Sequence, residues 1–228
     1  MKGVFVTGTD TGVGKTLFAA ALLLRLGEAG VQAAAYKPVS AGCRRVGGIL
    51  LNADAELLAA AAPLRLSLAE VNPVALEAPV APHLAAAEAG IALSVEGLAA
   101  GAPHADFLVV EGAGGWLVPL GERETLADLA RRLGLPIVLV VGLRLGCLNH
   151  ALLSAAAVRA DGQCLAGWVA NPLDDSMPRR ADNIAALEAR LGAPLLACLP
   201  YCRAGDPLAR ARQAAPAIGP AALRLLIG

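Results

Sequence analysis

Short, continuous apolar segments alternate along this chain with longer segments that are rich in alanine and leucine. The short segments are typical of buried strands, which we predict at residues 3–7, 31–36, 107–110, 137–141, 165–170 and 195–199. The longer segments predict helices at residues 16–28, 54–62, 85–89, 94–99, 126–133, 149–159 and 179–191, and a helical region from 207. Prolines at positions 73, 79 and 82 make residues 71–82 irregular, and glycines at 42, 47 and 48 mark a loop.

This alternation predicts an α/β fold with a mostly parallel sheet. A crossover between two parallel strands has to cover the sheet, so helices are expected on both faces. The unbroken apolarity of residues 107–110 fits a strand that is covered on both sides. A length of 228 residues suits one well-buried domain, and we expect residues 1–228 to form it.

The composition limits the kinds of partner that this protein can have. With 57% hydrophobic and 17% charged residues the chain is apolar, yet no apolar run approaches the ~18 residues that a membrane-spanning helix needs. The most apolar stretch, residues 135–143, contains proline and glycine and ends at Arg144. A net charge of 0 gives no field to attract a polyanion, and 3% aromatic residues leave few rings to stack on bases. We therefore expect small-molecule substrates, with no membrane and no nucleic acid as partner.

The first residues and the cysteines indicate the cellular compartment. Lys2 precedes a strand-like segment that lacks the longer apolar region and cleavage site of a secretory signal, which predicts a cytoplasmic protein. The 5 cysteines are an odd number without CxxC spacing. Neither a disulfide framework nor a zinc site is expected, and burial as small apolar residues is the ordinary role for such cysteines.

Residues 8–16 (GTDTGVGKT) form the strongest motif, between the first predicted strand and the first predicted helix. Glycines let successive N–H groups point at phosphate oxygens, and the following helix adds the positive end of its dipole. Lys15 is expected to reach the β- and γ-phosphates of a nucleotide, and the Thr16 hydroxyl to bind Mg²⁺. The common motif has glycine at position 9, where this chain has Thr9, so this loop is one residue longer. A glycine-rich turn with a surface lysine is the alternative interpretation.

Two acidic residues are candidates for metal binding. Glu111 ends a buried strand, where P-loop enzymes hold a second metal-binding acid, and the glycines after it allow a close approach to phosphate. A tight turn with a solvated glutamate is the alternative. Asp54 precedes a helix, so it is expected to bind the metal, to cap the helix, or to do both.

Other polar positions lie at predicted strand and helix ends. Lys37 follows the second strand and is fixed by the proline after it, so it is either catalytic or simply solvated. Asn171, next to Pro172, offers an amide donor and acceptor to a purine edge, although an ordinary turn explains it equally well. Residues 146–149 (GCLN) open a helix whose N–H groups can bind a carboxylate, and capping by Asn149 is the alternative.

Motifs spread over nearly the whole chain resemble those of dethiobiotin synthetases. They are residues 8–16 (GTDTGVGKT), 36–39 (YKPV), 52–55 (NADA), 71–73 (VNP), 79–83 (PVAPH), 111–116 (EGAGGW), 145–150 (LGCLNH) and 166–171 (AGWVAN). The lengthened phosphate loop is the form that this family uses. Two positions depart from the family: Ala41, beside Ser40, stands where a hydroxyl residue is common, and a tyrosine that some members carry near Asn183 is missing.

The resemblance implies a single-domain P-loop NTPase fold and a set of site residues. The residues implied to bind ATP are Gly12, Val13, Gly14, Lys15, Thr16, Leu17, Asp54, Glu111, Gly112, Ala113, Gly114, Asn171, Pro172, Pro200, Tyr201 and Cys202. Those implied to bind the substrate are Thr11, Lys37, Ser40, Ala41, Gly146, Cys147 and Asn149, the last three from the neighbouring subunit of a homodimer. Lys15 and Lys37 would be catalytic, and Thr16, Asp54 and Glu111 would surround Mg²⁺.

The implied reaction uses ATP as co-substrate to join a diaminononanoate and CO₂ in biotin synthesis. A carbamate on one amine would attack the γ-phosphate to give a mixed anhydride, and the second amine would then close the ureido ring of dethiobiotin. Two alternatives remain open. One is another ATP-dependent amide or amidine ligase of the same fold, and the other is a dimeric ATPase switch, which typically carries a lysine where this chain has Asp10.

Overall fold

The computed structural model describes residues 2–202 and 205–228, in which strands and helices alternate. The strands are β1 (Gly3–Gly8), β2 (Ala33–Tyr36), β3 (Val39–Ser40), β4 (Arg44–Val46), β5 (Ile49–Leu51), β6 (Val74–Ala75), β7 (Phe107–Glu111), β8 (Ile137–Leu143), β9 (Leu165–Pro172) and β10 (Leu195–Cys198). The α-helices are α1 (Lys15–Glu28), α2 (Ala53–Ala61), α3 (Leu68–Val71), α4 (Pro82–Glu88), α5 (Val95–Ala100), α6 (Leu126–Leu133), α7 (Cys147–Ala160), α8 (Arg180–Leu191), α9 (Pro207–Ala214) and α10 (Pro220–Ile227). A 3₁₀ turn, Ala215–Ala217, joins the last two helices.

The long strands form one sheet of 6 strands in the order β10-β9-β8-β1-β7-β2. Every neighbouring pair in this sheet is parallel, which confirms the predicted α/β fold. The register sets Val6 beside Glu111 and Tyr36 beside Val110. Because parallel strands all end at the same edge of a sheet, the loops that follow β1, β7 and β2 lie side by side there.

Helices cover both faces of this sheet, as predicted. Side chains alternate along β1, so that Val4 and Val6 pack in one apolar cluster with α1, whereas Phe5 packs in a second cluster with α6. A third cluster joins β8 and β9 to α7 and α8. Residues of β1, β7 and β8 are buried at every position, which accounts for their continuous apolar sequences.

Some short elements differ from the predictions of loop and irregular structure. The segment predicted as a loop contains the hairpin β4–β5, whose turn residues Gly47 and Gly48 both have positive φ, as a two-residue hairpin turn requires. The short strand β6 lies in the segment predicted as irregular and pairs with β3. Helix α3 also lies outside the predictions, and it begins with a capping box between Ser67 and Glu70.

Most other boundaries agree with the predictions to within a few residues. Helix α7 begins at Cys147 rather than at 149, because Gly146, with φ of 95°, forms its N-cap. Across residues 2–202 and 205–228, no helix is both long enough and apolar enough to span a bilayer.

Replacement of Leu22 by alanine is expected to destabilise the fold. Leu22 is fully buried in α1, so the change removes apolar contacts and leaves a cavity, at about 2–5 kcal/mol in the free energy of unfolding. Leu225→Ala makes the same change on α10 at a position that is 54% exposed, and it is expected to cost less than about 1 kcal/mol. Urea unfolding of both variants, followed by circular dichroism, measures the difference. Equal losses would contradict this assignment of the core.

Candidate active site

The phosphate loop runs from the end of β1 into α1. Gly12 and Gly14 have φ values of 73° and 96°, in the left-handed region that favours glycine. Gly14 is the N-cap of α1, and no side chain in the described part of the chain caps that helix. The N–H groups of its first turn therefore remain available for phosphate oxygens.

Asn171 braces this loop from the end of β9. Its Nδ2 donates a hydrogen bond of 2.8 Å to the carbonyl oxygen of Val13. A Cβ atom at Gly14 would lie only 2.1 Å from the same Nδ2, so glycine is required there for space as well as for its φ value. A contact of Asn171 with a purine stays a prediction, and the structure shows that one N–H of its amide is already bonded to the phosphate loop.

Lys15 is curled inward across the loop. Its Nζ donates to the carbonyl oxygens of Asp10 (2.9 Å) and Gly114 (2.7 Å). Burial lowers the pKa of Lys15 to about 8, although the nearby carboxylate of Glu111 acts in the opposite direction. The ammonium group thus links the phosphate loop to the loop that follows β7.

A cluster of charges, in which the Lys37 and Glu111 side chains are buried, joins the ends of β2 and β7. Lys37 Nζ donates to Glu111 Oε1 at 2.7 Å and to Asp54 Oδ2 at 3.1 Å. Thr16 Oγ1 donates to the same Glu111 Oε1 at 2.8 Å. The alternatives of a solvated Lys37 and a solvated Glu111 are wrong, since their side chains are 4% and 1% exposed.

Three charged side chains meet in this cluster, two of them carboxylates, and the ammonium group of Lys15 lies close enough to interact with all three. Burial opposes the charged form of Lys37, but the carboxylates of Glu111 and Asp54 outweigh it and raise the pKa of Lys37. Burial also raises the pKa of Glu111, while the Lys37 ammonium opposes that rise. Among the described residues, Lys37 is therefore the one ammonium group that hydrogen-bonds to both carboxylates.

Asp54 does not cap its helix. The cap of α2 is Asn52, whose Oδ1 accepts from the N–H groups of Asp54 and Ala55. The alternative that Asp54 is itself the cap is therefore wrong. Its carboxylate, about half exposed, is directed toward Lys37.

The residues predicted to hold Mg²⁺ fit such an ion. Glu111 Oε2 is buried and has no hydrogen-bond partner among the described residues. Burial of an unpaired carboxylate oxygen is unfavourable, and a divalent cation would satisfy it. The Thr16 hydroxyl and the Asp54 carboxylate, which line the same cleft, supply the oxygen ligands that Mg²⁺ prefers.

These groups line a cleft of about 810 Å³. The lining also includes the apolar residues Ala41, Pro79, Val80, Ala81, Pro82 and Val118. Most of these apolar residues were not predicted to line a site, because proline and valine in an irregular segment give no sign of the cavity that they face. The motif at residues 79–83 contained the relevant signal, but it was not assigned a role.

The remaining predicted ATP-binding residues lie close to the loop or at neighbouring strand ends. Ala113 and Gly114 line the cleft, as does the predicted substrate residue Thr11. Gly112 is buried at the end of β7, and Leu17 is part-buried against the core. Pro172 ends β9, and residues 200–202 (Pro200, Tyr201 and Cys202) follow β10 at the same edge of the sheet.

The predicted substrate residues separate into two groups. Ser40 and Ala41 line the cleft with Lys37, but the Ser40 hydroxyl donates to Asn72 Oδ1 at 2.6 Å. Gly146, Cys147 and Asn149 lie at the start of α7, outside the residues that line this cleft. Capping by Asn149 is wrong, because the N-cap is Gly146.

Alanine at position 14 is expected to weaken nucleotide binding. The added Cβ would require the left-handed φ of 96° and would collide with Asn171. We expect Gly14→Ala to weaken ATP affinity at least ~10-fold, equivalent to about 1.4 kcal/mol. Gly121→Ala is the matched control, since a Cβ there meets no atom of the described residues within 4 Å. Calorimetric titration with ATP checks both variants, and unchanged affinity in Gly14→Ala would contradict the assigned loop.

Replacement of Glu111 by glutamine is expected to remove most of the effect of Mg²⁺ on ATP binding. The amide keeps the shape of the side chain but loses the charge on the buried oxygen. The gain in ATP affinity on adding Mg²⁺ should fall by at least about tenfold, the scale found even for indirect partners of a metal. ATP titrations with Mg²⁺ and with EDTA measure this gain, and Glu122→Gln, at an exposed residue, is the control. An unaltered Mg²⁺ effect in Glu111→Gln would rule out this ligand.

Comparison with known sequences gives long matches at high identity. A family model described as an AAA domain matches residues 2–207. The chain is 52% identical over 214 residues to the ATP-dependent dethiobiotin synthetase BioD of Pseudomonas paraeruginosa, a match that covers 92% of this chain and 94% of that protein. The enzyme of the same name from Aromatoleum aromaticum is 47% identical over 207 residues, with coverage of 89% and 92%.

Comparison with solved structures supports the fold. The septum site-determining protein MinD of Pyrococcus horikoshii, solved with Mg-ADP, aligns with a TM-score of 0.59 at 18% identity and covers 99% of this chain and 94% of its own. A chain of the MinC:MinD cell division complex of Aquifex aeolicus aligns with a TM-score of 0.59 at 13% identity, with coverage of 99% and 95%. At such identities the likeness establishes the P-loop NTPase fold alone. The sequence relatives establish the family as well as the fold, because their identity is high and the matches cover nearly the whole of each chain. The chain belongs to the ATP-dependent dethiobiotin synthetase family.

Proposed function

We propose that this protein is an ATP-dependent ligase that joins 7,8-diaminononanoate and CO₂ and closes the ureido ring of dethiobiotin, with release of ADP and phosphate. The observation that carries the proposal is the convergence of two lysines with three oxygen ligands on one cleft beside the phosphate loop. These residues are Lys15, Lys37, Thr16, Asp54 and Glu111. Membership of the family supports the same reaction.

The proposed reaction has three steps. One amine attacks CO₂, forms an N–C bond and loses a proton, which leaves an anionic carbamate. A carbamate oxygen then attacks the γ-phosphorus, and the bond from that phosphorus to the ADP oxygen breaks. Finally the second amine attacks the carbonyl carbon, expels phosphate and loses a proton, which closes the ring.

Electrostatic repulsion is the main obstacle in the second step, because an anionic carbamate approaches anionic ATP. Cationic groups fixed beside the transferring phosphoryl group lower this barrier, and they act best when no reorganisation is needed. Lys37 meets this requirement, since Glu111 and Asp54 already hold its ammonium group at 2.7 Å and 3.1 Å. Lys15 would exchange its carbonyl partners for phosphate oxygens.

Mg²⁺, when bound by Thr16, Asp54 and Glu111, would neutralise charge on the β- and γ-phosphates. The buried, unpartnered Glu111 Oε2 supports this assignment. The chain's own part is to hold these oxygen ligands close to Lys37 and the phosphate loop.

The apolar half of the cleft supports an aliphatic substrate. Diaminononanoate carries its two amines on a long hydrocarbon chain, and burial of that chain is favourable at about 25 cal/mol per Å² of apolar surface. Pro79, Pro82 and Val118 offer such a surface in the cleft that Lys15 and Lys37 also line.

The homodimer and the cytoplasmic location stay predictions. Gly146 and Asn149 are exposed at the start of α7, beside Leu145, which is 98% exposed. We propose that this surface contacts a second subunit and that residues 146–149 bind the carboxylate tail of the substrate in the neighbouring cleft. The N–H groups at the start of α7 are suited to an anion.

Reconstitution tests the proposed reaction directly. With Mg²⁺, ATP, bicarbonate and diaminononanoate, the protein is expected to form dethiobiotin, detected by mass spectrometry, and to release one phosphate for each product molecule. Omission of the diamine should remove most of the phosphate release. Release that ignores the diamine would favour an ATPase switch instead, and release only with another acceptor would favour a different ligase.

Removal of the Lys37 ammonium is expected to abolish turnover rather than nucleotide binding. Lys37→Ala should keep ATP affinity within a few-fold and lose at least ~100-fold in kcat, the scale of one lost electrostatic contact. Lys2→Ala, at an exposed lysine far from the cleft, is the matched control. Steady-state dethiobiotin formation and ATP titration provide the two measurements, and near-normal turnover of Lys37→Ala would refute the role of this lysine.

A further inference from the structure

Asn72 is a buried polar residue outside both the cleft lining and the charge cluster. It lies between α3 and β6, and it is 7% exposed. A buried amide has to be hydrogen-bonded, because an unpaired donor or acceptor away from water is costly. The partners of Asn72 therefore show what its side chain holds in place.

The amide contacts the segment that carries Lys37 at two points. Nδ2 donates to the carbonyl oxygen of Lys37 at 2.7 Å and to that of Val74 at 3.3 Å. Oδ1 accepts from the Ser40 hydroxyl at 2.6 Å. Two carbonyl oxygens on one side fix the orientation of the amide, since only its NH₂ group can donate to them.

This contact compensates for a gap in backbone pairing next to Lys37. The backbone N–H of Lys37 donates a hydrogen bond of 2.7 Å to the carbonyl oxygen of Val71. The next residue, Pro38, has no backbone N–H to donate. Regular pairing begins only at β3, where Val39 lies beside Val74. Asn72 therefore connects the backbone at Lys37 to the neighbouring segment, at a point where there are few backbone hydrogen bonds.

A chain of side chains extends from Asn72. The Ser40 hydroxyl donates a hydrogen bond to Asn72 Oδ1, and Cys43 Sγ lies 3.2 Å from the Ser40 oxygen. Both residues are buried. Because this network is buried and its polar groups are hydrogen-bonded, it holds the backbone near Lys37 in one conformation rather than several.

We propose that Asn72 is a positioning residue for Lys37, which anchors the backbone end of the side chain whose ammonium end is held by Glu111 and Asp54. The inference rests on the proposed ligase function. Catalysis by a fixed charge depends steeply on its position, and a displacement of about 1 Å can cost on the order of 100-fold in rate. Asn72 would thus control turnover without contacting any of the substrates.

Asn72→Asp is the sharpest single test. The change preserves the size of the side chain and the acceptor for Ser40, but it sets a carboxylate oxygen against the carbonyl oxygens of Lys37 and Val74. We expect kcat for dethiobiotin formation to fall roughly 10- to 100-fold, with the KM for ATP within a few-fold of the original protein. Gln213→Glu, on the exposed surface of α9, adds the same charge and is expected to leave kcat unchanged.

A double-mutant cycle with Lys37→Ala separates positioning from general structural damage. If Asn72 acts through Lys37, then Asn72→Asp should lower turnover less than about twofold once Lys37 is already alanine. Single-turnover assays with labelled bicarbonate give the sensitivity needed for the slow variants. Full multiplication of the two losses would overturn the proposal, as would near-normal kcat in Asn72→Asp.

Two further measurements keep the outcomes distinct. A crystal structure of the Asn72→Asp variant is expected to show Lys37 Nζ displaced from its 2.7 Å contact with Glu111 Oε1, and an unchanged contact would overturn the proposal. Where thermal melting shows that Asn72→Asp does not fold, Asn72→Ala, which adds no charge, goes through the same cycle. Failure of the unmodified protein to form dethiobiotin would instead refute the proposed function.

Discussion

The arrangement of the cleft depends on one buried ion pair, between Lys37 and Glu111. Burial of two charges carries a large desolvation penalty, which close contact and additional hydrogen bonds have to offset. Here Thr16 donates to the oxygen that receives Lys37, and Asp54 accepts from the same ammonium group. Each charge therefore has more than one partner. The pair also fixes the relative positions of three segments, those that follow β1, β2 and β7.

The order of the strands brings these charges together. In the sheet, the neighbouring strands run in the order β8-β1-β7-β2. Strand β1, which leads into the phosphate loop, therefore lies next to β7, which ends in Glu111, and β2, which precedes Lys37, lies on the other side of β7. Both Glu111 and Lys37 are thereby directed into the same crevice as the phosphate loop. The MinD structure of Pyrococcus horikoshii shares this fold at 18% identity, so the fold alone does not specify a reaction. The side chains within it, rather than the sheet, determine the chemistry.

Local patterns allowed much of this to be predicted from the sequence. The phosphate loop is a contiguous motif, and the apolar runs before Glu111 and Lys37 put both at strand ends, which is enough to expect them at one edge. The contacts of Asn171 with Val13 and of Asn72 with Lys37 connect residues far apart in sequence, so no spacing rule predicts them. Gly47 and Gly48 were interpreted as loop residues, but they form the turn of the hairpin β4–β5. Glycines with positive φ occur both in open loops and in hairpin turns, so the two glycines alone do not distinguish these structures.

Lysine is a demanding choice for a fixed charge, since its long side chain loses about 2 kcal/mol of rotamer entropy when it is held in one conformation. If only the ammonium end were held, the backbone before Pro38 could shift, and the charged end of the side chain would move with it. Attachment at the backbone end alone would leave the side chain free to rotate. Contacts at both ends, from Glu111 and from Asn72, remove both motions before any substrate binds. The entropy cost of fixing the lysine is then met during folding. The free energy of substrate binding does not have to offset it and remains available for the reaction.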